Sequence, residues 1–342
     1  MNVTFLIGNG FDINLGLDTR YSDFYPYFIK NASSDNMIRN WISKDIELWA
    51  DLEEKLGEEV FQVKEDNLEQ FYADKEELDL LLIEYLEKEQ NKMITTGKED
   101  FIYKTMVKSM NSINGTLSTN DKSSIASTMT SYASVPFTYE FISFNYTNTL
   151  DRILSVCKTI GTTFGTHNYG NSTKSNNFGS VLHIHGTTDE EMILGVNDPT
   201  QVNNDLLKKN TLFLNTFIKG QMNNKIGQGK VDAAGKIIDA SHIICIFGMS
   251  IGNTDKMWWQ KIMYWLSSNE ANKLIIFVKG YNEKLRKKIP SSTIRLSDKL
   301  KTEITNQGNL KTDSASSLEK IKDRIMISYN SDIFTFPDLI KK

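Results

Sequence analysis

The feature that most narrows what this chain can fold into is a set of short, almost unbroken apolar runs, each followed by a small or polar turn. Residues 3–7 (VTFLI), 243–247 (IICIF) and 274–278 (LIIFV) leave no room for a solvent-facing side. A strand of an antiparallel sheet with one wet face alternates, whereas a central parallel strand is covered on both faces and reads as continuous hydrophobic sequence. Three further runs, 140–144 (EFISF), 181–184 (VLHI) and 325–328 (IMIS), bring the set to six. Helical segments separate most of them. The clearest is 254–267 (TDKMWWQKIMYWLS), whose bulky apolar residues recur at helical spacing behind a Thr-Asp start suited to capping. This alternation predicts an α/β fold, a doubly wound, mainly parallel, Rossmann-like sheet. In such sheets ligands bind outside the carboxyl ends of the strands.

About 130 residues lie between the first two runs, far more than one crossover helix needs. The spacing predicts a nucleotide-binding α/β body over residues 1–30 and 136–342, interrupted by a mainly helical, acidic insertion over 31–135. Helical patterning is strongest at 36–61 and 76–94. Residues 45–89 hold 17 acidic and four basic residues in a chain whose net charge is −4, so the remainder is mildly basic. That overall balance disfavours a general nucleic-acid binder. The stretches 116–134, 168–177 and 307–317, rich in Ser, Thr, Asn or Gly, read as loops. Two cysteines, Cys157 and Cys245, in 342 residues can make neither a disulfide framework nor a four-thiolate zinc site, which suits a reducing, cytoplasmic setting. The start lacks the pattern of a secretory signal, and no apolar run approaches the roughly 18 residues of a membrane span.

Chemistry is therefore sought at the strand ends. Gly8-Asn9-Gly10-Phe11-Asp12 follows the first run, with the next glycine at Gly16. Glycines there let the backbone turn sharply and let a ligand approach main-chain N–H groups, although the spacing is not G-x-G-x-x-G and a tight turn alone would also account for it. Asp12 would repel a phosphate unless it is protonated, paired with a cation or turned toward a ribose. The second run leads into FNYTNTLD, residues 144–151, where Asn145, Thr147 and their neighbours can hold a sugar hydroxyl or cap the helix that follows; capping is the leading expectation. The third ends in His183-Ile184-His185-Gly186. At strand period the two histidines face one side and suit a metal, but no third ligand stands beside them. His185 before a glycine reads better as a single general base. The fourth ends in Gly248-Met249-Ser250 and Asp255, a second turn of the nucleotide-crevice type.

Taken in order, IGNGFDINLGLDTRYSDF (residues 7–24), WADLE (49–53), FNYTNTLD, HIHG (183–186), ILG (193–195) and FGMSIGNTD (247–255) resemble the AbiH family of bacterial phage abortive-infection proteins. That family in turn looks distantly similar to the sirtuin-like domains of defence enzymes that hydrolyse NAD. The resemblance implies NAD, or a related nucleotide, as substrate across the strand ends. Gly8, Asn9, Gly10, Asp12, Thr147, Gly248, Ser250 and Asp255 would hold it, and His185 and Asn145 would act at the nicotinamide ribose. Thr147 stands where the sirtuin pattern has an aspartate, and the cysteines of the sirtuin zinc site are missing, which argues against protein deacylation and leads us to expect no metal. An infection-derived trigger and self-association are the partners expected; nucleic acid and membrane are not. Two alternatives stand beside this reading. Asp12, Glu53 and Asp255 with His185 could bind a divalent metal for a nuclease or phosphodiesterase, Glu53 otherwise being a solvated position on an acidic helix. A non-catalytic sensor of a nucleotide or phage component is the other.

Overall fold

Alternate side chains of the first strand, β1 (Asn2–Ile7), enter different cores: Val3, Phe5 and Ile7 are buried on one face and Leu6 on the other. Both faces being covered is the physical reason that the run is unbroken in apolar residues. The computed structural model describes residues 1–252, 255–310 and 315–341. It is a mixed α/β structure with one seven-stranded sheet. The other strands are β2 (Phe137–Ser143), β3 (Thr163–Tyr169), β4 (Ser172–His183), β5 (Ile243–Phe247), β6 (Lys273–Val278) and β7 (Ile325–Tyr329), in the order β3-β4-β2-β1-β5-β6-β7. All neighbours are parallel except the edge pair β3 and β4. Phe5 of β1 lies opposite Phe141 of β2 and Cys245 of β5, so the most apolar strands are the central ones.

Three cores result. One face of the sheet packs on the helices Glu99–Asn111 and Thr149–Ile160 and on Ile333, Phe334, Phe336 and Leu339 near the end of the chain. The opposite face packs on the helices Lys230–Asp239, Lys256–Ser268 and Pro290–Gln307. The third core lies off the sheet. Apolar residues of the helices Tyr21–Asn31, Met37–Lys44, Leu52–Glu59 and Leu68–Gln90 meet Leu194, Val196, Val202, Leu207, Phe213, Phe217 and Ile218. The acidic stretch is helical as expected, but its core does not follow the 31–135 division. It takes in residues of the 21–31 helix and the 194–218 segment, while Ile102, Met106, Met110 and Ile125 belong to the sheet's own core.

Several local expectations need correction. Residues 116–134 are not a loop: Thr119–Ser131 is a helix, capped by the Ser118 hydroxyl, which accepts the Asp121 N–H at 3.2 Å. Only Ile125 of that helix is buried, so it has no apolar stripe to betray it. Residues 168–177 form most of the hairpin between β3 and β4, turning at Gly170 with φ of 56°. Its outer strand lies at the sheet edge, where polar residues suffice. The 36–61 helix breaks because Asp51 starts a new one, its Oδ1 accepting the N–H groups of Glu53 and Glu54. The 254–267 helix begins at Lys256; Thr254 lies outside the described residues. In the 307–317 stretch the helix Ala315–Lys322 begins, and residues 311–314 lie outside the described residues. Among the described residues no helix is long and apolar enough to cross a membrane. Both cysteines are free and buried.

Candidate functional site

The strand connections diverge between β1 and β5, the place where an open α/β sheet has a natural crevice. Here the glycines have a clear purpose. The Gly8 N–H donates to Phe247 O at 3.0 Å and the Gly10 N–H to Gly248 O at 2.9 Å, locking the two loops together. A Cβ on Gly10 would sit 2.4 Å from Gly248 Cα, and Gly248 has φ of 72°. Backbone contact between the loops thus requires glycine on both sides. It also means that the two N–H groups expected to meet a ligand already have partners. Asn9 is engaged with Thr19, donating to its carbonyl at 2.8 Å and accepting from its hydroxyl at 2.5 Å.

Asp12 is turned inward and is 1% exposed. Its carboxylate accepts from Thr147 Oγ1 at 2.6 Å, from Asn145 Nδ2 at 3.2 Å and from Thr149 Oγ1. The hydroxyls expected to cap the following helix therefore clamp β1's loop to β2's, and the capping position, Asn148, makes no side-chain cap. Burial pushes the Asp12 carboxyl up to about 6, against the pull of these hydrogen bonds and of His183. Asp12 and Thr147, expected on the nucleotide, are bonded to each other. They line a chamber of about 100 Å³ with Asn145, whose Oδ1 is buried without a partner.

A larger cleft of about 1150 Å³ opens next to it, over the carboxyl ends of β1 and β5 and under residues 46–53. Asn9, Tyr21, Phe144 and Tyr146 line both cavities and so form the partition. His185 faces the cleft and is 4% exposed, with neither ring nitrogen hydrogen-bonded. Burial, then Lys219 and Lys230, hold its pKa well below the usual histidine range, so the ring is neutral. Glu53 enters from the helix Leu52–Glu59 and meets Lys219 Nζ at 2.5 Å; both side chains are buried. Tyr146 and Tyr21 donate to its other oxygen at 2.9 and 3.3 Å. Glu53 is thus neither a solvated position nor an open metal ligand. Asp255 lines the same cleft, and burial raises its carboxyl to about 7, opposed by Lys219 and reinforced by Glu53 and Asp51. Gly8, Asn9, Gly10, Gly248 and Ser250 complete its floor and rim.

The two histidines of the HIHG run part company. His183 lies between the Asn145 carbonyl (3.2 Å) and the Asp151 carboxylate (2.7 Å), while His185 enters the cleft. His167 stacks on Phe137 at 3.8 Å, and His242 accepts the Asn2 N–H at 3.2 Å. Asp12 lies in the side chamber, apart from Glu53, Asp255 and His185 in the cleft, and among the described residues no group of three or more His, Cys, Asp or Glu is placed to hold a metal ion. Sequence reasoning missed Lys219, Tyr146 and Tyr21. Lys219 has no local motif, and only its 4% exposure marks it out. Glu53 in WADLE was the one available signal for the lobe's contribution.

Sheet, crevice and buried polar cluster define a mixed α/β protein with a large cleft at its strand ends. The sequence model of the family described as bacteriophage abortive infection AbiH matches residues 4–277, and the chain belongs to that family. Membership implies a part in abortive-infection defence against phage. No curated protein matches the chain.

Proposed function

We propose that the chain is an abortive-infection effector that binds NAD or a related nucleotide in the large cleft and hydrolyses its N-glycosidic bond. His185 carries the reading: a buried, neutral imidazole with no partner on either nitrogen, facing a cleft of about 1150 Å³ at the strand ends. Leaving a buried polar group unpaired costs about 1–3 kcal/mol, and such an orphan is accounted for if a ligand completes it. The parallel strands, numbered among themselves, run 3-2-1-4-5-6, the order of dinucleotide-binding Rossmann sheets. This supports the Rossmann-like reading and agrees with the resemblance to sirtuin-like domains.

In the reaction the ribose C1′–N bond breaks and its electron pair leaves with neutral nicotinamide, giving C1′ oxocarbenium character. Water then adds through oxygen and loses a proton. The neutral His185 ring accepts a hydrogen bond from a ribose hydroxyl or from that water. Asp255, with a pKa of about 7, can take up the proton at neutral pH. Asn145, held by Asp12, keeps its free Oδ1 in the side chamber, across the partition from His185, and backs the ribose site from there.

The test is incubation of purified protein with NAD and identification of nicotinamide and ADP-ribose by mass. His185→Ala should lower turnover at least about 100-fold, the lower end of general acid–base contributions. Asn145→Ala should lower it too. Full turnover in both folded variants would overturn the assignment.

A further inference from the structure

We infer that the cleft recognises positive charge on the ring of its substrate, an N-glycosylated aromatic cation such as a pyridinium nucleoside or nucleotide, through Asp255 and the aromatic side chains around it. The inference rests on the proposed nucleotide reading and adds the charge state of the ligand.

Three observations lead there. The first is the charge of the lining. Its cations are Lys219, already 2.5 Å from Glu53, and Arg20, on the exposed side and 3.8 Å from Asp23. Its carboxyl groups are Glu47, Asp51, Glu53 and Asp255. With the Gly8 and Gly10 N–H groups turned to the carbonyls of Phe247 and Gly248, the inner cleft offers a polyphosphate little and a cation a good deal. The second is Asp255 itself. It stands at the N-cap of the helix Lys256–Ser268, where an aspartate ordinarily accepts a backbone N–H, yet it makes no side-chain cap. Among the described residues its carboxyl accepts no hydrogen bond, and it lines the cleft. The third is independent of the carboxyl groups: His185, over nine-tenths buried, faces the same cleft with both nitrogens unpartnered and is neutral, so it binds without repelling a cation. Tyr21, Tyr25, Trp49 and Phe144 are among the residues that line the cleft, and aromatic rings attract a cation through their quadrupole.

Proton release should accompany binding. Burial, opposed by Lys219 and reinforced by Glu53 and Asp51, leaves the Asp255 carboxyl near half-ionised at neutral pH, so a cation bound beside it drives the remaining protons off.

The test is isothermal titration of the full-length protein with nicotinamide riboside and with its reduced dihydro form, which differ in ring charge and little in shape. The cation should bind about tenfold tighter or better, the range of a partly desolvated cation–aromatic and carboxylate contact. Titrations at pH 7 in buffers of different ionisation enthalpy should show net proton release. Asp255→Asn should remove that release and cut the preference to about threefold, the residual cation–aromatic share. Equal affinities, no binding of either ligand, or an Asp255→Asn variant with the full preference would overturn the inference. Selective binding of the cation without any cleavage would sustain it and sink the hydrolysis reading; cleavage with equal affinities would do the reverse.

Discussion

Replacing Lys219 with Met tests whether the buried ion pair holds the helix Leu52–Glu59 to the helix Lys219–Lys225. The Lys219 Nζ–Glu53 Oε2 distance is 2.5 Å, with side-chain exposures of 5% and 7%. At an effective dielectric of 20 the gross attraction is roughly 7 kcal/mol, and removing both ions from water offsets most of it. Met keeps the volume but leaves Glu53 as a buried carboxylate without its cation, a loss of about 3–5 kcal/mol. The hydroxyls of Tyr146 and Tyr21 still reach Glu53, which places the cost at the low end, about 3 kcal/mol. With roughly 2.1 cal/mol/K of unfolding entropy per residue over 342 residues, the melting temperature should fall by about 4 °C. Glu53 already titrates above its ordinary value because of burial, and loss of Lys219 raises it further. A carboxyl raised in the folded state favours folding below its unfolded pKa and loses that contribution as pH rises through the folded pKa. The deficit should therefore be larger at pH 8 than at pH 5. Adding Glu53→Leu to Lys219→Met should restore at least half of it. Calorimetry on wild type, both single variants and the double variant decides. A Lys219→Met protein that melts with wild type at pH 8, or a double variant whose loss is the sum of the singles, would refute the argument.

Gly10→Ala puts a Cβ 2.4 Å from Gly248 Cα, where both sides are backbone, and should cost roughly 2–4 kcal/mol by urea denaturation; a loss under 1 kcal/mol would mean that the loops are not locked. Asp12 rises from 3.8 to about 6 on folding, so its contribution is full below pH 4 and is lost as pH climbs through 6. Relative to Asp12→Asn, wild type should lose about 3 kcal/mol between pH 3.5 and 7.5, and a flat difference would contradict this. Burial pushes the Cys157 thiol up to about 12 and raises Cys245 as well. Native protein should thus react with a thiol reagent at pH 8 far more slowly than protein in denaturant, and rapid labelling of either cysteine would refute their burial.

The sheet was legible because buried parallel strands are apolar throughout, and VTFLI, IICIF and LIIFV are read at a glance. The polar part of the hairpin, 168–177, and the helix Thr119–Ser131 were not, since each shows mostly polar side chains to solvent and neither periodicity develops; only the apolar end of β4, 181–183, could be read as strand. His185 could be singled out because a glycine follows it at a strand end. The function of the glycines was misjudged for a topological reason: only when β5 lies beside β1 do Gly10 and Gly248 meet, and 238 positions separate them. Glu53 and Lys219, 166 residues apart, were hidden in the same way.

The third core also bears on how the chain is made. Its helices between residues 21 and 90 emerge from the ribosome long before Phe213, Phe217 and Ile218, which complete their apolar surface. At about 5–20 residues per second, the Leu52–Glu59 helix waits roughly 8–30 s for the last of them. During that interval Phe71 has Trp41 and Tyr72 beside it but lacks Phe213 and Phe217, so its native cover is incomplete. A nascent chain stalled near residue 200 should be the species most prone to aggregate and most dependent on a chaperone. For the same reason the acidic lobe cannot be transplanted as one contiguous fragment: a graft that keeps its core intact has to carry the 194–218 segment along with it.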